Sequence, residues 1–155
     1  MSFSIFVPTI ENTTRPRIRI PAEVPRTAPQ VLVVEADEAV RRVICRALRA
    51  AGIIAHEASS AAQVRSVVAM VRPDVVVLNA GRLDETTGLQ IGEWLRLNDP
   101  TMKLICIGGA PEMAAFVGPP HTHLTRILHK PFGARVIVGH IFGMLSLAGG
   151  LPPAN

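Results

Sequence analysis

Residues 75–78 are an unbroken Val-Val-Val-Leu run, entered through Pro73-Asp74 and left through the polar Asn79. A strand with one wet face alternates apolar and polar residues, whereas a run without alternation has both faces buried. Burial on both faces needs helices above and below the sheet, so this one segment points to a parallel α/β architecture. The flanking sequence agrees. Gln30–Glu35 and Leu104–Ile107 are further apolar β-rich runs, Ile53–His56 is a shorter one, and Leu124–Leu128 completes the set.

Between these runs the apolar spacing becomes helical. Asp37–Ala51 places Val40, Val43, Ile44, Ala47 and Leu48 on one stripe with arginines opposite, and Gly52 stops it. Ser60–Val71, Thr87–Asn98 and Gly133–Leu147 are the other long helices predicted; the third strand is followed by the one that carries Trp94, the only tryptophan. Strict βα alternation predicts a parallel sheet with helices on both faces. Periodicity establishes that class and not the strand order. The fourth unit is irregular, because Pro111 can open a helix that Gly118-Pro119-Pro120 must end within about two turns.

The chain divides into a Pro/Arg-rich arm (residues 1–29), a globular part (30–148) and a short tail (149–155). Five of the thirteen prolines fall in the arm, so no helix persists there, and two β-like runs remain, Phe3–Val7 and Arg17–Ile20. The arm reads either as a flexible leader or as an extended segment that adds to a sheet edge or crosses to a second subunit. At 48% apolar and 18% charged residues the remainder has the material for a real core. No apolar run approaches the roughly 18 residues that span a bilayer, and Met1–Val7 lacks the length and basic start of a signal peptide. A cytoplasmic location is expected, with Cys45 and Cys106 as small buried residues. Four arginines against two glutamates before residue 30, and twelve Lys/Arg against ten Asp/Glu after it, leave each part at +2. That is too little to imply nucleic-acid binding, and Arg15, Arg17, Arg19 and Arg26 lack interleaved aromatics.

The segments Val31-Leu32-Val33-Val34-Glu35-Ala36-Asp37, Val75–Asn79, Leu104-Ile105-Cys106-Ile107-Gly108-Gly109 and His129-Lys130-Pro131-Phe132 resemble, in order and separation, the receiver domain of two-component response regulators. The resemblance covers residues 30–148. It implies a flavodoxin-like (CheY-like) five-stranded parallel sheet of order 2-1-3-4-5, with the site at the carboxyl ends of the strands. It also implies a chemistry: an aspartate ending the third strand takes a phosphoryl group, Mg²⁺ sits on an acidic pair ending the first strand, and a hydroxyl and a lysine hold the phosphoryl oxygens.

Placed on this chain by that resemblance, Asn79 takes the acceptor position, and its uncharged amide is a poor nucleophile. Glu35 and Ala36 take the acidic pair, Gly108 the hydroxyl position, Ile127 an aromatic position, and Lys130 is retained. The loop Ala80–Thr87 is one residue longer than usual. Asp37 could compensate for Ala36, but it directly precedes a helical run and is read as its N-cap. The reading is a degenerate pseudo-receiver with no catalytic residue, no metal and no cofactor, in which Glu35 and Lys130 form a buried or half-buried ion pair tying the first and fifth strands. His121 and His123 are too few for a metal site. Two alternatives stay open: a phosphorelay regulator modified on Asp37, Asp84 or another carboxylate, and a small-anion sensor using Gly108, Gly109 and Lys130.

The last helix is apolar over more than one face, with Arg135 and His140 its only titratable residues from Ala134 to Ala148. One stripe suffices to pack on a sheet, so the surplus, taken at Val138, Phe142 and Leu145, is expected to meet a protein partner, a second copy in a homodimer, or the arm. No DNA-binding or enzymatic segment follows it, so a non-enzymatic, stand-alone signalling protein acting by contact is expected.

Overall fold

The computed structural model describes residues 28–109 and 124–149. The arm up to residue 27, the expected short helix opened by Pro111, His121, His123 and the tail from residue 150 lie outside the described residues. Five strands form one parallel sheet: β1 (Gln30–Val34), β2 (Ile54–Ala58), β3 (Val75–Asn79), β4 (Leu104–Gly108) and β5 (Thr125–His129). Their order is β2-β1-β3-β4-β5, the doubly wound order expected, with every pairing parallel. The helices are α1 (Glu38–Ala50), α2 (Ala61–Val71), α3 (Gly88–Asn98) and α4 (Ala134–Gly149).

The unbroken apolar strands earn their composition by facing two cores. Odd-numbered Val31, Val33, Val75, Val77, Ile105 and Ile107 join Ile44 and Leu48 of α1 and Ile137, Ile141 and Met144 of α4. Even-numbered Leu32, Val34, Val76, Leu78, Leu104 and Cys106 join Val64 of α2 and Ile91 and Leu95 of α3. The strand period of two thus sends alternate side chains to opposite faces, and both faces are dry. Burial raises both thiols, with Cys106 pushed up to about 11, so neither cysteine is a nucleophile at neutral pH.

Local chemistry fixes the helix ends. Asp37, Ser60 and Thr87 are N-caps, and Thr87 with Gln90 completes a capping box. Gly52 follows α1 at φ +83°, the left-handed conformation that glycine adopts without cost. The sheet's β2 edge is closed by charge: Arg49 donates to the Ala55 carbonyl at 2.8 Å, and Glu57 is clamped between Arg41 (2.9 Å) and Arg49 (3.4 Å). Such clamps discourage edge-to-edge pairing.

Candidate functional site

Strand register decides which residues meet. Val34 lies opposite Leu78, so the next residues, Glu35 and Asn79, leave the sheet side by side. Asn79 is paired with Ile107 and Gly108 with His129, which brings the exits of β3, β4 and β5 to the same end.

Glu35 is 7% exposed and one of two buried polar residues among those described. Its Oε1 accepts from Asn79 Nδ2 at 2.6 Å, and its Oε2 accepts from the backbone N–H of Asp37 at 2.9 Å. Asn79 Oδ1 accepts from the N–H of Gly81 at 2.8 Å. These partners fix the orientation of the amide, because its oxygen must face a donor and its nitrogen an acceptor. The backbone is held equally firmly. Ala80 N–H donates to the Ile107 carbonyl at 2.7 Å, and Gly88, the first residue of α3, donates to the Gly81 carbonyl at 2.8 Å. Gly88 has to be glycine, since a Cβ there would lie 1.6 Å from the Asn79 carbonyl oxygen. The start of α3 is therefore pressed directly against the residue that carries the site.

The loop after β3 holds an element the sequence did not reveal. Arg82–Leu83 and Thr86–Thr87 pair as a two-residue antiparallel ribbon, with Asp84 at φ +57° in its turn. Asp84 is exposed, and its carbonyl accepts from Arg82 at 3.1 Å. The strands are too short for a period of two to register, and no Asn-Gly or Asp-Gly pair marks the turn.

The other expected site residues divide. Ala36 is exposed and offers only a methyl group. Asp37 is exposed and caps α1, its Oδ1 accepting from Val40 N–H at 3.1 Å. Gly108 is buried, and its carbonyl accepts from Lys130 N–H at 3.0 Å. The Lys130–Pro131 peptide is cis. Lys130 does not do what the sequence suggested. Its side chain is exposed and makes no ion pair with Glu35, whose two oxygens accept from Asn79 and Asp37, so the expected Glu35–Lys130 pair is absent. Glu35 already satisfies both oxygens inside the sheet end, and an ammonium would lose hydration to reach it.

Val138, Phe142 and Leu145, expected on an interaction surface, are half-buried and pack against the core shared with α1. The outward side of α4 instead exposes Arg135, Val136 (45%), Gly139 and Gly143. A groove of about 480 Å³ opens between α1 and the turn after β5, lined by Val40, Val43 and Ile44 on one side and Lys130, Pro131 and Phe132 on the other. Among the described residues no group of three or more His, Cys, Asp or Glu is placed to hold a metal, and no helix is long and apolar enough to cross a membrane.

Comparison with known proteins places this geometry. The chain is 30% identical over 125 residues to the photosynthetic apparatus regulatory protein RegA of Rhodovulum sulfidophilum; the match takes in 81% of this chain and 66%, just under two thirds, of that protein. Among solved structures it is similar to a response regulator receiver protein from Sinorhizobium medicae (24% identity, TM-score 0.66, 77% of this chain and 96% of that one). It is also similar to the BeF3-activated receiver domain of nitrogen regulatory protein C (23% identity, TM-score 0.67, 80% and 99%). These structural likenesses carry the fold. The family model described as the response regulator receiver domain matches residues 31–142. The chain is therefore a member of the response regulator receiver family, a signalling protein of the two-component type.

Proposed function

We propose that this receiver domain takes no phosphoryl group at its strand ends and signals by protein contact alone. The observation that carries the reading is the 2.6 Å hydrogen bond from Asn79 Nδ2 to Glu35 Oε1. Asn79 stands at the end of the third strand, where the family's acceptor aspartate belongs, and an amide cannot form an acyl phosphate. Its N–H donor points at the remaining carboxylate, supplying the positive charge density that a cation would otherwise bring.

Mg²⁺ does not fit this donor set. The ion takes hard oxygen ligands in near-octahedral geometry. Here one carboxylate is already committed through both oxygens, Ala36 supplies none, and the Asn79 oxygen is engaged by Gly81. Two alternative readings are weakened by the same geometry. Asp37 is used as a helix cap and Asp84 sits exposed on the ribbon, so neither carboxylate is oriented as Asn79 is. An anion in the crevice would meet the buried charge of Glu35.

The contact surface proposed is the last helix and its flanks, with a cytoplasmic protein partner, a second copy of the chain included. Exposed Val136 and the open faces of Gly139 and Gly143 allow close approach of another backbone there. The reading is tested by intact mass after incubation with acetyl phosphate and Mg²⁺, beside an Asn79→Asp/Ala36→Asp variant. The native chain is expected to show no phosphoryl adduct. A Mg²⁺-dependent adduct on it would overturn the proposal.

A further inference from the structure

The groove between α1 and the turn after β5 has a volume of about 480 Å³, against about 230 Å³ for the cleft beside His140 and about 190 Å³ for that beside Trp94. Its character also differs. Arg126 and His140 line one of the smaller clefts, and Arg65, Thr86 and Gln90 contribute to the other, whereas the large groove has Lys130 as its single charged wall residue. Val43 stands 55% exposed along it, and Val40 and Phe132 continue inward to the core. An apolar concavity of this size on a domain surface invites an apolar occupant.

The chain carries one. Met1–Ile10 contains no charged residue and holds Phe3, Ile5, Phe6, Val7 and Ile10, including two of the five phenylalanines. Aromatic anchors of this kind fill apolar pockets with little loss of side-chain entropy. Reach is not limiting. The twenty residues from Pro8 to Thr27 can extend about 60 Å, whereas a five-residue strand is about 17 Å long. The leader joins the domain ahead of β1, and the groove lies past the other end of that strand. The competing mode, addition of the leader as an edge strand on β2, meets the Arg41–Glu57–Arg49 clamp and the occupied Ala55 carbonyl.

We propose that Phe3–Val7 docks in cis into the groove walled by Val40, Val43, Pro131 and Phe132. The inference is independent of whether Asn79 can accept a phosphoryl group.

Amide hydrogen exchange on the full chain tests it, comparing the native protein with Phe3→Asp/Phe6→Asp. Ser2→Asp/Ser4→Asp serves as a control that adds the same charge and keeps the anchors. The anchor variant is expected to exchange about tenfold faster over residues 39–44 and 132–136, with the central strands unchanged and the control like the native chain. Val43→Arg, at a position 55% exposed to solvent, is expected to release protection within residues 3–7. Unchanged exchange at the groove in the anchor variant, or a change confined to the Trp94 or His140 cleft, overturns the proposal. Protection that disappears on hundredfold dilution also overturns it, since the leader would then be supplied by a second copy.

Discussion

Placing an acid at position 79 should destabilise this domain in a pH-dependent way. Glu35 Oε1 lies 2.6 Å from Asn79 Nδ2, so Asn79→Asp in the same rotamer sets a carboxylate oxygen against a carboxylate oxygen. Two unit charges with centres about 4 Å apart repel by about 4 kcal/mol at an effective dielectric of about 20, and the native bond to a charged acceptor, about 1.5–3 kcal/mol, is lost as well. The pair can escape by keeping one proton. Holding it at pH 7, about three units above an ordinary carboxyl, costs about 4 kcal/mol. Neither route is cheap, and a loss of about 3–4 kcal/mol at neutral pH is expected, against the roughly 5–15 kcal/mol of a typical domain. Near pH 4 the proton comes almost free and restores a donor toward Glu35, so the loss should nearly vanish there. Asn79→Ala provides the contrast: it removes the donor without adding charge and should cost about 1–3 kcal/mol with little pH dependence. Urea unfolding in EDTA, followed through the single Trp94, measures all three proteins. An Asn79→Asp protein as stable as the native one at pH 7.5, or equally destabilised at pH 4 and pH 7.5, would refute the reasoning.

Further outcomes follow from other contacts. Gly88→Ala should cost about 3 kcal/mol or more in urea unfolding, because its Cβ would fall 1.6 Å from the Asn79 carbonyl. Gly139→Ala, with nothing within 4 Å of the new Cβ, should instead gain up to about 1 kcal/mol. Asp37→Ala should lose about 0.5–2 kcal/mol from the α1 cap and leave the intact-mass result unchanged. The bond from Arg41, with a lesser one from Arg49, holds the Glu57 carboxyl below its usual range. A depressed carboxyl stabilises above its unfolded value and loses that contribution as pH falls through the folded one. With the side chain 36% exposed, the gap between native protein and Glu57→Gln should be no more than about 0.5–1 kcal/mol at pH 7 and should close near pH 3 in parallel urea titrations.

The fold was legible because it rests on local periodicity. Runs such as Val75–Leu78 and stripes such as Val40, Ile44 and Leu48 specify which face must be dry, and the observed cores use those residues, although Val43 of the same stripe stands 55% exposed. Caps were legible for the same reason: Asp37 satisfies a donor three residues away, an interaction the chain makes with itself. The ribbon over 82–87 was missed because two residues per strand carry no period.

The sequence by itself determined the α/β class, the positions of strands and helices, and the identity of the groups at the strand exits. Only the tertiary structure decided how those groups pair. Glu35 and Lys130 look like partners when charge is the sole criterion, yet Glu35 turns to Asn79 across the β1–β3 register and Lys130 turns outward to the groove. Likewise Val138, Phe142 and Leu145 look like a surplus on an isolated helix but find α1 and its core beside them. Periodicity is a property of neighbours in sequence, whereas the partner of a carboxylate or an apolar face is fixed by register and packing between segments 44 or more residues apart.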